Sequence, residues 1–276
     1  MRNLKYFLTG SLALFIILLA SGAVSAIEKV PAGNSQSGHN LTLPARAIEV
    51  APHVFSLGQA IDPEQGDMVE GLAIVHPKKI EVKPTAKPDK NSRPSACYAF
   101  LAKDAKWKTV EPWLINTANS YGLTADSIFS ILTDSITKWE NAAKADILGN
   151  GSVTANDLLA DLSYPDTLNE VYFGPLDDGA IAMTVIWGIF DGTPTTRELR
   201  EWDQIYNSLY TWSDTGATDA MDFENIATHE LGHSAGMGDL YDSACGEETM
   251  FGYATWGETI KRTLNAGDLF GIGKLY

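Results

Sequence analysis

His229-Glu230-Leu231-Gly232-His233-Ser234-Ala235-Gly236-Met237-Gly238-Asp239 is the stretch whose reading decides this chain. Residues four apart on a helix share a face, so His229 and His233 can present two imidazoles to one metal ion. Glu230 sits beside that face and suits a general base acting on a water that the metal activates. Gly236 ends the helix, because the chain must turn sharply there, often with a positive φ that glycine tolerates. The turn brings Asp239 back as a third ligand, with Asp242 as its rival. Catalytic Zn²⁺ takes three protein ligands and keeps one position open, and His229, His233 and Asp239 make up that set. Glu230 would carry the water's proton to a leaving amine, which is the chemistry of peptide-bond hydrolysis. The plainer alternative is a solvated helix with two incidental histidines.

Outward from this run, Asp222 can cap the motif helix, with Phe223, Ile226, Ala227, Leu231 and Ser234 on its inner face. Thr124 can cap an earlier helix in which Ile128, Ile131, Leu132, Ile136 and Trp139 recur at helical spacing. Ile181 to Trp187 reads as a buried strand and Glu201 to Tyr206 as a shorter one. Ile48 to Leu57 and Met68 to Val75 read as strands of a hairpin, separated by the turn-rich run Asp62-Pro63-Glu64-Gln65-Gly66-Asp67. Strands with segregated helices, rather than strict alternation, indicate an α+β domain with a twisted mixed sheet.

The 276 residues suffice for one sizeable domain with appendages. Arg2 and Lys5, the apolar run Leu12 to Ala20, and Val24-Ser25-Ala26 make residues 1–26 read as a secretory signal with a cut after Ala26. A retained membrane anchor over Tyr6 to Val24 is the competing reading. Pro77, Pro84, Pro88 and Pro94 are interleaved with Lys78, Lys79, Lys83, Lys87, Lys90 and Arg93, so 77–96 reads as an extended linker open to processing proteases. Residues 27–76 are then a pro-region, and a compact catalytic domain runs from Cys97 to Tyr276.

Charge divides at the same place. Residues 1–96 carry ten Lys/Arg and eight Asp/Glu, whereas 97–276 carry ten and twenty-seven. So acidic a domain should repel nucleic acid and anionic lipid. Its expected partner is a protein or peptide substrate, the membrane only if the N-terminal segment is retained, and it is expected to be a monomer. The two cysteines, Cys97 and Cys245, lie in the exported part, where a disulfide persists. The alternative is that Cys97 caps the metal as a latency switch. A weaker signal, Asp146 to Asp157, fits an EF-hand-like Ca²⁺ loop, with Leu148 where an oxygen ligand belongs and Asp157 in place of Glu. Its other reading is an ordinary glycine-rich connection. Asn40 and Asn150 each begin a glycosylation sequon.

The spacing of His229, Glu230, His233, Gly236 and Asp239, with Met250 downstream in Glu248-Thr249-Met250-Phe251-Gly252-Tyr253, resembles the metzincin metalloproteases. Asp222-Phe223-Glu224-Asn225-Ile226-Ala227-Thr228, the tail Thr263 to Ile272 and the Trp139-Glu140 helix ending resemble the matrixin branch. The resemblance is sharp over about 222–276, diffuse over 97–221 and without a match over 27–96. It implies a twisted sheet, two helices above a cleft, a C-terminal subdomain with one helix, and Met250 in a tight turn beneath the metal. It also implies that Ile181 to Trp187 lies near the cleft and that substrate pairs with that edge as an added strand. Structural Ca²⁺ is general in that branch. Matrixins place a third histidine where this chain has Asp239, whose charge makes the metal less electrophilic. Their Pro-Arg-Cys-Gly latency motif is absent, and Arg93-Pro94-Ser95-Ala96-Cys97 only loosely echoes it. Met250 and Tyr253 also have plain readings, as core filler and loop aromatic.

The expectation is a secreted, zinc-dependent endopeptidase made as a precursor, with Glu230 as base. One rival is a catalytically silent binding module of the same fold at the cell surface, which would hold metal without turnover. Another is a Ca²⁺-stabilised adhesion protein with incidental histidines, which would hold no zinc.

Overall fold

A computed structural model describes residues 41–79, 97–177 and 179–276. The expected signal, the Asn40 sequon and nearly all of the linker lie outside the described residues. The strands and helices begin with β1 (Ile48–Ala51), β2 (Val54–Ile61), β3 (Met68–Pro77), β4 (Ala99–Phe100), β5 (Trp113–Asn116) and α1 (Ala125–Ala143). They continue with β6 (Gly151–Val153), β7 (Asn169–Gly174), β8 (Ala180–Ile189), β9 (Glu198–Asn207), β10 (Trp212–Ser213) and β11 (Met221–Asp222). The chain closes with α2 (Phe223–Ser234), β12 (Met237–Gly238) and α3 (Ala266–Leu275).

Eight strands form one mixed sheet in the order β1-β2-β3-β8-β9-β7-β5-β6. β6, β5, β7 and β9 run parallel to one another, whereas β9-β8-β3-β2-β1 is antiparallel throughout. The architecture is α+β, as the segregated pattern indicates. Residues 48–77, read above as part of a pro-region, supply three strands to the same sheet that carries β5 to β9. The hairpin expected over 48–75 forms as β2 and β3, closed by the 62–67 turn. Its first strand is shorter than expected: Pro52 cannot donate to a ladder and His53 sits at φ 59°, so the chain folds back and Ile48–Ala51 becomes a separate strand.

The sheet has two covered faces. One carries α1, α2 and α3 over Leu72, Ile74, Ala182, Ile186, Trp202 and Tyr206. The other packs Val69, Ala73, Met183, Val185 and Trp187 against Leu158, Ala160 and Leu176. Side chains alternate along a strand, so Leu72, Ile74 and His76 of β3, and Ala182, Thr184 and Ile186 of β8, all face the helices. Thr124 caps α1, its Oγ1 accepting from Ser127 N at 3.1 Å, and Ile128, Leu132, Ile136 and Trp139 are buried beneath it. Among the described residues, no helix is long and apolar enough to cross a membrane.

Candidate metal centre and active site

α2 starts where Asp222 caps it, Oδ1 accepting from Asn225 N at 2.9 Å. A single inner face is expected from its sequence, yet only Glu224 of the twelve residues escapes full burial. The reason is its position as a wedge. Towards α1, Thr228 O accepts from Trp139 Nε1 at 2.8 Å. Towards the sheet, Gln204 Nε2 donates to Ser234 Oγ at 2.9 Å. On a third side Gly232 lies against Met250, and a Cβ there would collide with Met250 Sδ and the Trp139 ring. Gly236 ends the turn at φ 99°, as expected from its place in the motif.

Beyond Gly236 the chain returns Asp239 to the two imidazoles. His229 Nε2 and His233 Nε2 lie 3.2 Å apart, and Asp239 Oδ1 is 3.3 Å from the first and 3.6 Å from the second. Donors held about 2.0–2.1 Å from one ion in a tetrahedron stand about 3.3–3.4 Å from each other, so this triangle has the size of half a zinc shell. The tautomers agree. His229 Nδ1–H donates to Thr249 O at 2.7 Å and His233 Nδ1–H to Met237 O at 2.9 Å, which leaves both Nε2 lone pairs facing inward. Asp239 Oδ1 is buried without a hydrogen-bond partner, and Oδ2 lies 3.0 Å from the Tyr241 hydroxyl. Two lone pairs and a carboxylate oxygen converging without a proton between them repel one another unless a cation sits among them. Burial works to raise the Asp239 carboxyl, but His233 and His229 outweigh it and hold it well below the usual carboxylate range. Asp242, the rival ligand, is exposed and instead caps the short 3₁₀ turn Ser243–Cys245, accepting from Ala244 N at 2.9 Å.

Glu230 is fully buried beside this triangle. Thr184 Oγ1 donates to its Oε2 at 2.5 Å, and His76 Nδ1 lies 3.0 Å from its Oε1. Burial raises the Glu230 carboxyl above its usual value, against the opposing pull of His229, His233 and the Thr184 hydroxyl. Burial, helped by the Lys261 charge, lowers His76 to about 3, so its ring is neutral near neutral pH. With Glu230 ionised, His76 Nδ1–H donates to it, and His76 Nε2 is left buried without a partner. His76, Thr184 and Tyr241 were not singled out from the sequence as members of the site. The one signal for His76 is a histidine closing the apolar run Leu72-Ala73-Ile74-Val75, and nothing local tells which helix that run will meet.

The segment under the site is held from α3. Asp268 accepts from Thr249 N at 2.7 Å and from Met250 N at 3.1 Å, fixing the carbonyl that orients His229. Cys97 and Cys245 form a disulfide, so Cys97 is not a cap on the metal. In the stretch considered for Ca²⁺, Ile147 and Leu148 are buried and residues 151–153 pair with β5 as an edge strand. A different acidic group assembles on the opposite face of the sheet: Asp161, Glu201 and Asp203 bring donor atoms within 4.8 Å of one another. Glu201 Oε1 there is buried without a hydrogen-bond partner. The chain matches no protein-family model, and comparison with curated proteins finds no relative.

Proposed function

We propose that the chain is a secreted, zinc-dependent endopeptidase of the metzincin type, resembling the matrixin branch. The observation that carries this reading is the convergence of His229 Nε2, His233 Nε2 and Asp239 Oδ1 at 3.2–3.6 Å with Glu230 alongside. Bound by these three residues, zinc would supply a Lewis acid for the scissile carbonyl and acidify an attacking water. Glu230 would take that water's proton and return it to the leaving amine, a role favoured by a carboxyl whose pKa burial raises. Thr184 orients the carboxylate, and the carbonyls of Thr249 and Met237 keep both imidazoles in the ligating tautomer. The disulfide fits export to an oxidising compartment.

A structural Ca²⁺ fits the Asp161, Glu201 and Asp203 group better than the 146–157 stretch. Its donors lie within 4.8 Å, twice a Ca–O distance of about 2.4 Å, and it contains the unpartnered Glu201 oxygen. The complete burial of Glu230 favours a second reading, a silent binding module that holds metal without turnover. Metal content and hydrolysis of an unfolded protein by the zinc-loaded chain separate the two. Glu230→Ala should keep its zinc and lose turnover by about 10²–10⁴-fold. Zinc binding with no chelator-sensitive cleavage in any processed form would instead support the silent module.

A further inference from the structure

β8 touches the proposed base through Thr184, whose Oγ1 donates to Glu230 Oε2 at 2.5 Å. It pairs with β9 on one side, and an extended peptide pairing on its other side would run past Glu230. That place is already taken. β3 lies antiparallel to β8 from Glu70↔Gly188 to Pro77↔Ala180, with Ile74 opposite Thr184 and His76 opposite Ala182. The even-numbered side chains of β3 face the helices, so His76 reaches Glu230 Oε1 at 3.0 Å, and its ring centroid stands 4.0 Å from that of His229. Both oxygens of the base are therefore engaged, one by each of two neighbouring strands. His76, His229, Glu230 and His233 each have 0% exposure, so no second polypeptide can reach the base while β3 is in place.

β1 is exposed along its whole length, and β2 has only Leu57 fully buried. Residues 48–77 are held by the β3–β8 ladder, by Arg200 of β9 on Asp62 and Asp67, and by the Tyr241 hydroxyl on Pro52 O, and the ladder is the contact a substrate strand would need.

We propose that β3 is an internal occupant of the substrate's place on β8 and that His76 engages the base, so that the chain as folded is latent until β3 withdraws. This inference rests on the peptidase reading above. It supplies the restraint that the absent Pro-Arg-Cys-Gly motif and the disulfide-bonded Cys97 do not.

The test uses the full zinc-loaded chain carrying a recognition site for a specific protease after Lys87, before and after the cut. Three quantities are followed: cleavage of an unfolded protein, hydrogen exchange of the 180–189 amides, and the rate of zinc release to a chelator. Before the cut, cleavage should be slower by at least about tenfold, with the β8 amides protected and zinc released slowly. After it, activity should appear together with faster exchange in β8 and faster zinc release. His76→Ala should speed zinc release in the uncut chain while cleavage stays low because β3 still covers β8, and His76→Gln, closer in size, repeats the measurement should the alanine variant fail to fold. An uncut chain as active as the cut one, with β8 still protected, would overturn the latency while leaving the peptidase intact. Bound zinc without cleavage before or after the cut, even with β8 freed, would overturn both.

Discussion

Tyr241 shows how the centre depends on residues that bind nothing themselves. Its hydroxyl proton is shared between Asp239 Oδ2 at 3.0 Å and Pro52 O at 3.1 Å, and this contact aims Oδ1 at the imidazoles. Partners that orient metal ligands are typically worth about 10–100-fold in metal affinity. Tyr241→Phe should therefore weaken zinc binding by about that factor in a competition titration, whereas Asp242→Ala should leave it unchanged. An equal loss in both variants would contradict the assignment of Asp239 as third ligand. At this scale the sequence went far for residues close to one another in the chain. His229, Glu230 and His233 are set by helical spacing, and Gly236 by the φ that its turn requires. Thr184 and His76 were not legible, because strand alternation tells which residues share a face but not which helix that face meets.

Strand β9 presents different chemistry on its two sides. Trp202, Gln204 and Tyr206 face the helices, while Glu201 and Asp203 face the Asp161 and Glu170 carboxyls. Burial, reinforced by neighbouring carboxylates, raises Asp161 to about 6, Glu170 to about 7 and Glu201 to about 10, with Asp203 also well above its usual value. The folded chain thus keeps protons that the unfolded chain releases above about pH 4. The stability these groups contribute is fully present below that pH and is lost as pH rises towards 7 and beyond. With zinc saturation held constant, calorimetry should show a lower Tm contribution from this cluster at pH 8 than at pH 5, and added Ca²⁺ should restore it at pH 8. Glu201→Gln should flatten the slope. A slope unchanged by that substitution would place its origin elsewhere. The two long helices and the strand at 180–189 were readable from periodicity and capping. The all-round burial of α2 was not, because its polar residues Asn225, Thr228 and Ser234 are satisfied by partners from distant segments.

Across the whole molecule, the disulfide spans 148 residues and ties the segment before β4 to the loop after Asp239. In the chain-entropy account a closed loop of that length stabilises by about 5 kcal/mol. Reduction, or Cys245→Ser, should lower the unfolding free energy by an amount of that order in denaturant titrations, with zinc affinity falling less than in Tyr241→Phe. Local chemistry by itself determined the helix caps and the α+β class and picked out the proposed metal ligands and base, since each depends on short-range patterns in the sequence. Only the tertiary structure decided that residues 48–77 join the main sheet, that Cys97 pairs with Cys245, and that His76 meets Glu230. Each of these depends on which distant segments the fold brings together, and for residues 48–77 and His76 on which strand edge is left open for pairing. Backbone hydrogen bonds at an edge accept any extended partner, and the selection of β3 comes from the packing of Leu72, Ile74 and His76 on the helix-facing side, where His76 meets Glu230 154 residues further along the chain.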